Sequence, residues 1–217
     1  MLTRIEGTTV VYDVNGHGRD VFFIHGWAGS RVHWNPGKDV LRGYRMIAPD
    51  LYGFGDSDEP KRDITIDDHV VLILALMDQL HVGQCAVVGH SMGGLIAAQL
   101  ASYHPERVNG LVLVEAPVMK ELEQVKCPIL LVFGEDDSDI GGMSRGEMAR
   151  VQSKHSKTAT VAFVDGAAHN PIHENPTEFY AILRDFLARS CALESKVNHN
   201  PSAELLDDIF CGASKGE

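Results

Sequence analysis

The residues with the most evident chemistry are a serine and the two glycines that flank it. Residues 89–93 read Gly-His-Ser-Met-Gly, the G-x-S-x-G pattern, between an apolar run at 85–88 and a helical pattern at 92–103. A strand–turn–helix of this kind holds the serine in a strained turn, with its hydroxyl clear of the backbone. Strand and helix then pass so closely that a Cβ at 89 or 93 would clash. The pattern predicts that Ser91 is a nucleophile, and the alternative is an ordinary glycine turn.

A second segment predicts the groups that would stabilise an oxyanion. Residues 25–30 read His-Gly-Trp-Ala-Gly-Ser and follow a short apolar run at 21–24. A glycine at this point lets the loop backbone approach a nucleophile closely. We therefore expect the backbone N–H groups of Trp27 and Met92 to form the oxyanion hole. The alternative is a plain loop between a strand and a helix.

Two further segments offer an acid and a base. Residues 134–137 read Gly-Glu-Asp-Asp after an apolar run at 129–133, and His169 follows another run at 160–164. Nucleophilic serines need a histidine that accepts their proton and a carboxylate that orients this histidine. The order Ser, Asp, His along the chain matches that arrangement. The alternatives are a polar loop histidine and solvated loop acids.

Composition limits the other classes of function. The chain has 217 residues, of which 44% are apolar and 23% charged, and its net charge is −11. One domain is expected at this length, and the negative charge disfavours nucleic acid and anionic membranes as partners. No run of about 18 apolar residues occurs, so no membrane span is expected. The first twenty residues lack the apolar stretch of a signal peptide, and the four cysteines lack C-x-x-C spacing. We therefore expect a cytoplasmic protein in which Cys85 and Cys127 are buried thiols.

Strand and helix patterns alternate along the chain. Apolar or alternating runs predict strands at 8–14, 21–24, 44–48, 85–88, 111–114, 129–133 and 160–164, the first of them an edge strand. Helical spacing predicts helices at 65–80, 92–103, 142–152 and 177–189. This order predicts an α/β fold, a mostly parallel sheet with helices on both faces and with ligands at the carboxyl ends of the strands. Residues 1–189 would form the catalytic domain. Residues 190–217 would form a polar tail, with an amphipathic stretch at 203–210 that is either disordered or docked as a short helix.

The sequence resembles the α/β-hydrolase superfamily over about residues 5–189. The segments that carry this resemblance are residues 25–26, 50–57, 89–94, 134–137 and His169. The resemblance implies the α/β-hydrolase fold and a catalytic triad of Ser91, His169 and Asp137. In similar proteins the acid falls three residues after the glycine at 134, which selects Asp137 over Asp136. Asp50 and Asp56 would hold their loop by hydrogen bonds, as acids there do in such proteins.

The resemblance also implies an activity, the cleavage of small carboxylic esters through an acyl-enzyme intermediate. This chemistry requires no cofactor and no metal. Thioesters, lactones, amides or acyl transfer are alternatives for the same site, and a weakly catalytic binding protein is an alternative of another class. The sequence leaves the oligomeric state open.

One expected part of the superfamily pattern is missing. In most similar hydrolases a helical cap of tens of residues follows the strand equivalent to 110–114 and covers the substrate. Here only residues 115–128 precede the next strand, so the cap domain is expected to be absent or minimal. Without a cap, we expect the substrate-binding wall to consist of Trp27, Pro117, Val118 and Ile172, together with Met92.

Overall fold

An eight-stranded sheet carries the site. The computed structural model describes residues 1–135 and 145–197, and the side chains of all of these except 145 and 191–197. The strands are β1 (Leu2–Ile5), β2 (Thr8–Gly16), β3 (Arg19–Ile24), β4 (Tyr44–Pro49), β5 (Cys85–His90), β6 (Val108–Val114), β7 (Ile129–Gly134) and β8 (Ala159–Val164). Within the described residues their order across the sheet is β1-β2-β4-β3-β5-β6-β7-β8. The expected α/β architecture is confirmed.

The strands from β3 to β8 form a parallel sheet. The pairs β3–β4, β3–β5, β5–β6, β6–β7 and β7–β8 are all parallel, whereas β2 runs antiparallel to β4 and to β1. Every residue of β5 and of β7 is buried. A strand covered on both faces reads as a continuous apolar run, as these two do. The carboxyl ends of β3, β5, β6, β7 and β8 therefore meet at one edge of the sheet.

The outermost strand differs from the prediction. The expectation that residues 8–14 form the edge strand is wrong, because β1 pairs with β2 on its outer side, with Leu2 opposite Val11. Glu6 and Gly7 both have positive φ angles, 49° and 81°, and they form the tight turn that reverses the chain. A strand as short as β1 has too little periodicity to stand out in the sequence.

Helices cover both faces of the sheet. They are α1 (Ile66–Gln79), α2 (Met92–Tyr103), α3 (Arg145–Lys154), α4 (Pro171–Glu174) and α5 (Pro176–Val197), with 3₁₀ helices at Arg31–Gly37 and Lys120–Gln124. Apolar residues of α1 and α2, such as Ile73 and Leu100, pack in one buried cluster. Residues of α5 pack with Trp34 in the other cluster. The prediction of helices on both faces is confirmed.

The start of α1 shows how local chemistry sets a helix boundary. Thr65 precedes the helix, and its Oγ1 accepts a hydrogen bond from the backbone N–H of Asp68 at 3.4 Å. The Asp68 carboxylate accepts one in return from the Thr65 N–H at 2.8 Å. This reciprocal capping box satisfies backbone donors that have no partner inside the helix. The helix thus begins one residue after the predicted start at 65.

Helix α5 is longer than predicted, and two other predicted features fall outside the described residues. Helix α5 continues past Arg189 to Val197, and the Ser190 hydroxyl donates to the Phe186 carbonyl at 3.1 Å within it. The predicted start of a helix at 142 and the amphipathic stretch at 203–210 lie outside the described residues. No helix among the described residues is long and apolar enough to cross a membrane.

The link between β6 and β7 carries no cap domain. Residues 115–128, all of which the structure describes, contain only the 3₁₀ helix Lys120–Gln124. In this segment the Ser102 hydroxyl of α2 donates to the carbonyl of Glu121 at 2.6 Å. The segment therefore lies against α2 and contributes no helical cap.

Cys85 and Cys127, the two cysteines whose side chains the structure describes, are free thiols. Cys85 is buried at the start of β5, as expected, whereas Cys127 is only partly buried. Burial raises the pKa of both thiols to about 12, so both are protonated at neutral pH.

Candidate active site

Ser91 lies in a strained turn at the end of β5. Its φ of 51° and ψ of −116° are unusual for a residue with a side chain, and such a conformation costs about 1–3 kcal/mol. The turn is held because the Ser91 N–H donates to the carbonyl of Val114 on β6 at 2.9 Å. Ser91 immediately precedes α2, yet its hydroxyl makes no capping hydrogen bond to that helix. The hydroxyl is therefore not engaged in holding the helix end.

Glycines make this turn possible. A Cβ on Gly89 would overlap the carbonyl of Gly93, and a Cβ on Gly93 would overlap the carbonyl of Ile24 at the end of β3. Any larger residue at either position would push the strand, the helix and β3 apart. The clash predicted for 89 and 93 is confirmed.

The loop after β3 runs directly beside the serine. A Cβ on Gly26 would lie 3.1 Å from the Cβ of Ser91, a contact so tight that one of the two segments would have to shift. Trp27 follows, with 76% of its surface exposed. Met92 is the first residue of α2, where backbone N–H groups have no partner within the helix. Trp27 and Met92 both line one cavity beside the serine.

His25 fixes the conformation of that loop. It is buried, and its Nε2 accepts a hydrogen bond from the Leu51 N–H at 3.1 Å. Its Nδ1 therefore carries the proton and donates to the Gly26 carbonyl at 2.8 Å. Burial lowers the pKa of His25, which keeps the ring in this neutral form. The ring thus connects the loop after β3 to the loop after β4.

A buried carboxylate anchors the loop after β4. Asp50 is fully buried and accepts hydrogen bonds from the Arg31 N–H at 2.6 Å and the Asp56 N–H at 2.9 Å. The Arg31 guanidinium forms ion pairs with Asp50 and, at 2.8 Å, with Asp56. A Cβ on Gly55, where φ is 59°, would overlap the Asp50 carboxylate. Both acids thus hold the loop by hydrogen bonds or ion pairs, as the resemblance implied.

His169 lies in the loop between β8 and α4. The Glu174 carboxylate holds this loop by accepting hydrogen bonds from the N–H groups of Ala168 at 2.6 Å and Asn170 at 3.3 Å. His90, the residue before the serine, donates its Nε2–H to the His169 carbonyl at 2.9 Å. The rings of His90 and His169 are 5.3 Å apart, and half of the His169 side chain is exposed. The structure therefore places Ser91 and His169 at the same edge of the sheet.

Glu115 faces the same histidine and was missed by sequence reasoning. It follows β6, is 1% exposed and has a φ of 50°. Its Oε1 accepts a hydrogen bond from the Gly134 N–H at 2.6 Å, and its Oε2 lies 4.0 Å from Nδ1 of His169. The signal available in the sequence is an acid directly after an apolar strand. Asp136 and Asp137 lie outside the described residues.

Histidines also pack behind the nucleophile. The ring of His33 stacks on that of His90 at 4.9 Å and meets the ring of His173 at 4.7 Å. Burial lowers the pKa of His33 to about 3 and that of His90 to about 4, so both rings are neutral near neutral pH. Over residues 1–135 and 145–197, no group of three or more His, Cys, Asp or Glu side chains is arranged to hold a metal ion.

An open cavity of about 600 Å³ adjoins the serine turn. Its lining residues are Trp27, Tyr52, Gly53, Phe54, Glu59, Arg62, Asp63, Ile64, Thr65, Ile66, His69 and Met92. Trp27 and Met92 were predicted as wall residues, whereas the residues between 52 and 69 were not. The latter belong to the loop after β4 and to the start of α1, which in sequence resemble an ordinary turn and an amphipathic helix.

The other predicted wall residues do not line this cavity. Val118 and Ile172 are fully buried, one in each of the two core clusters. The Val118 N–H donates to the Ala116 carbonyl at 3.0 Å, a turn that directs the segment into the core. Pro117 is exposed but does not line the cavity. The part of this cavity that the sequence did not predict comes from the loop after β4 and the start of α1.

Comparison with known proteins agrees with the geometry. A family model described as alpha/beta hydrolase fold matches residues 21–138. Epoxide hydrolase 2 of Siraitia grosvenorii is 32% identical over 136 residues, 58% of this chain and 43% of that protein. Lipase 3 of Moraxella sp. (strain TA144) is 33% identical over 153 residues, 62% of this chain and 47% of that protein. The chain thus spans less than half the length of these curated relatives.

The solved structures extend the comparison to the fold. A thermophilic esterase from Thermogutta terrifontis, solved with malate bound, superposes with a TM-score of 0.76. The match covers 87% of this chain and 97% of that one, at 19% sequence identity. At this identity the likeness concerns the arrangement of strands and helices.

Proposed function

Because the chain belongs to the alpha/beta hydrolase fold family, we propose that it is a serine hydrolase that cleaves carboxylic esters of small molecules. Residues 1–189 form the catalytic domain in this proposal, and helix α5 continues beyond this boundary to Val197. The names of the two curated relatives, a lipase and an epoxide hydrolase, fit a hydrolytic reaction.

One observation carries the proposal, the strained turn at Ser91 beside the loop at Gly26. The turn costs conformational energy, and its hydroxyl does not cap the helix that follows. The Gly26 backbone approaches the serine so closely that a methyl group there would lie 3.1 Å from the serine Cβ. Strain of this kind is typical of functional sites, where it presents a side chain to a ligand.

The reaction has two halves. In the first, His169 takes the Ser91 proton while Oγ attacks the ester carbonyl, and the N–H groups of Trp27 and Met92 stabilise the oxyanion. Collapse of this intermediate breaks the bond to the alcohol, which leaves with the proton from His169. In the second half, a water molecule gives a proton to His169 and attacks the acyl group on Ser91. The bond between Oγ and the acyl carbon then breaks, His169 returns the proton to Oγ, and the acid is released.

Carboxylates stabilise the imidazolium that forms in each half. We assign Asp137 as the triad acid that orients His169, on the position of this aspartate after Gly134. Glu115 adds a second negative charge 4.0 Å from Nδ1 of the same ring. A nearby anion favours the charged form of an imidazole, so both acids assist proton uptake by His169. The proposed reaction uses no cofactor and no metal.

Covalent labelling distinguishes the proposed serine hydrolase from a weakly catalytic binding protein. A fluorophosphonate probe should label the wild-type chain on Ser91, and Ser91→Ala should abolish labelling. Ser102→Ala is the matched control, because Ser102 lies on the same helix and its hydroxyl only binds backbone carbonyls. Equal labelling of the wild type and Ser91→Ala, or no labelling of either, would reject the proposal.

A further inference from the structure

We propose that the cavity beside Ser91 binds the acyl group of the ester and selects acyl groups that carry a second, uncharged oxygen acceptor, which pairs with His69. This inference rests on the proposed function, because it names the substrate class of that same site. Its three parts are the side of the serine that the cavity occupies, the chemistry of its walls and the state of the His69 ring.

The position of the cavity assigns it to the acyl group. Trp27 and Met92, the proposed oxyanion donors, line the cavity, whereas no residue of the loop that carries His169 does so. The leaving alcohol takes its proton from His169 and so departs on the side of that loop. The acyl group, which stays on Ser91, then extends to the other side, into the cavity.

One part of the lining suits an apolar body. Tyr52, Phe54, Ile64 and Ile66 line the cavity together with the exposed Trp27. The rings of Trp27 and Phe54 meet edge to face at 5.2 Å. Apolar walls with few polar groups are typical of small-molecule sites, where the polar groups fix the orientation of the ligand.

His69 is the buried polar group in this lining. It lies on α1, is 4% exposed, and its ring centre is 6.0 Å from that of Tyr52 and 6.5 Å from that of Phe54. Within the described part of the chain, its Nδ1 is buried without a hydrogen-bond partner. Burial lowers its pKa to about 4, so the ring is neutral near pH 7 and carries one proton.

The environment of Nδ1 decides where that proton lies. A buried N–H without an acceptor is rarer in proteins than a bare acceptor without a donor, because it forfeits a hydrogen bond to water. We therefore assign the proton to Nε2, which makes this atom the donor that the ring offers to the cavity. An acyl group whose oxygen reaches the His69 Nε2–H accepts this hydrogen bond. A plain hydrocarbon chain displaces the water bound to this N–H and forms no hydrogen bond in its place.

The charges at the rim exclude an anionic acceptor. Glu59 and Asp63 line the cavity and would repel a carboxylate. Arg62 also lines it, but its guanidinium pairs with Asp68 at 2.7 Å and with Glu6 at 3.6 Å. The oxygen that His69 selects is thus that of a ketone, an ether or a hydroxyl group.

Paired substrates test the inference. p-Nitrophenyl esters of pentanoic to octanoic acid are each compared with an oxo-acyl ester of the same chain length. In the wild type, kcat/KM for the oxo ester should exceed that for the hydrocarbon ester at least about tenfold at the best length. His69→Phe should bring this ratio to about one, because it keeps a ring but removes the N–H. His69→Gln, which retains an N–H donor, should keep part of the preference.

A remote histidine and an inactive variant complete the design. His17→Phe, at an exposed turn, should leave the ratio unchanged. Ser91→Ala should hold intact esters, so tryptophan fluorescence, to which Trp27 in the cavity contributes, can report the Kd of methyl hexanoate and methyl oxohexanoate. Tighter binding of the oxo ester, lost when His69→Phe is added to Ser91→Ala, supports the inference. If Ser91→Ala still hydrolyses esters, the proposed function fails, and the kcat/KM ratios of the wild type and His69→Phe decide the inference alone. No preference at any chain length, or the same preference in His69→Phe, overturns it.

Discussion

Glu115 and His169 face each other at the carboxyl edge of the sheet, with Oε2 of the acid 4.0 Å from Nδ1 of the imidazole. They are far apart in the sequence, one directly after β6 and the other after β8. The same carboxylate accepts a hydrogen bond from the Gly134 N–H, so it also holds the end of β7. When ionised, a carboxylate at this distance favours the imidazolium that the proposed reaction produces.

Glu115→Gln should lower kcat/KM and shift the acid limb of its pH profile. The amide oxygen can still accept from the Gly134 N–H, so the change removes mainly the charge. Because a neighbouring carboxylate raises the pKa of an imidazole, its removal should shift the acid limb of kcat/KM to lower pH. We expect kcat/KM at neutral pH to fall about tenfold.

The other groups around His169 stay as they are in this variant. His90 and Glu174 also adjoin His169, and neither is altered. Glu106→Gln, on the surface, is the control, and a pH profile that does not move would contradict the role given to Glu115.

Asp137→Asn should cost far more activity than Asp136→Asn. Of two adjacent loop residues only one can readily face His169, and the loss of a triad acid lowers kcat by roughly 10⁴-fold. Steady-state kinetics of both variants with one ester measures the difference. If Asp136→Asn proves the more damaging change, the assignment of Asp137 is wrong.

The folded state should lose stability as the pH falls from about 6.5 towards 4. Burial lowers the pKa of His33 to about 3 and those of His69 and His90 to about 4. In the unfolded chain these rings take up protons near pH 6.5, so below that pH protonation favours the unfolded state. Each pH unit in this window costs at most about 1.4 kcal/mol per histidine.

Urea unfolding at pH 7.5 and pH 5 measures this loss. Asp68, whose pKa its hydrogen bonds from Thr65 lower to about 2, takes up a proton in the unfolded chain only below pH 5, so it does not contribute to this comparison. His33→Gln should reduce the difference in the free energy of unfolding between the two pH values by the contribution of one histidine. Equal free energies of unfolding at the two pH values would show that these rings are not neutral in the folded state.

How far the sequence predicts this site depends on how local each signal is. The turn at Ser91 is predictable because its strand, glycines and helix are consecutive in the chain. The pairing of Glu115 with His169 is not, because it arises only when β6, β7 and β8 lie side by side. The cavity was missed for a similar reason, since His69 reads as one more residue of an amphipathic helix until α1 packs beside the loop after β4.

Asp50→Asn should destabilise the fold much more than Asp56→Asn. Asp50 is fully buried and holds Arg31 and two backbone N–H groups, so loss of its charge removes the buried partner of Arg31 and leaves this cation only the more exposed Asp56 and Asp13. Breaking a buried pair in this way costs about 3–5 kcal/mol. The Asp56 side chain is 69% exposed, and its pair with Arg31 should contribute less than about 1 kcal/mol. Urea unfolding of both variants compares them, and similar losses would contradict an anchoring role for Asp50.

The kcat of Ser91→Ala with a p-nitrophenyl ester tests the central claim most directly. The change removes one hydroxyl that caps no helix, so circular dichroism and the free energy of unfolding should stay close to those of the wild type. Activity should fall by roughly 10⁴-fold or more, as it does when a triad nucleophile is lost. A folded Ser91→Ala protein that keeps more than about one hundredth of the wild-type kcat would contradict the account.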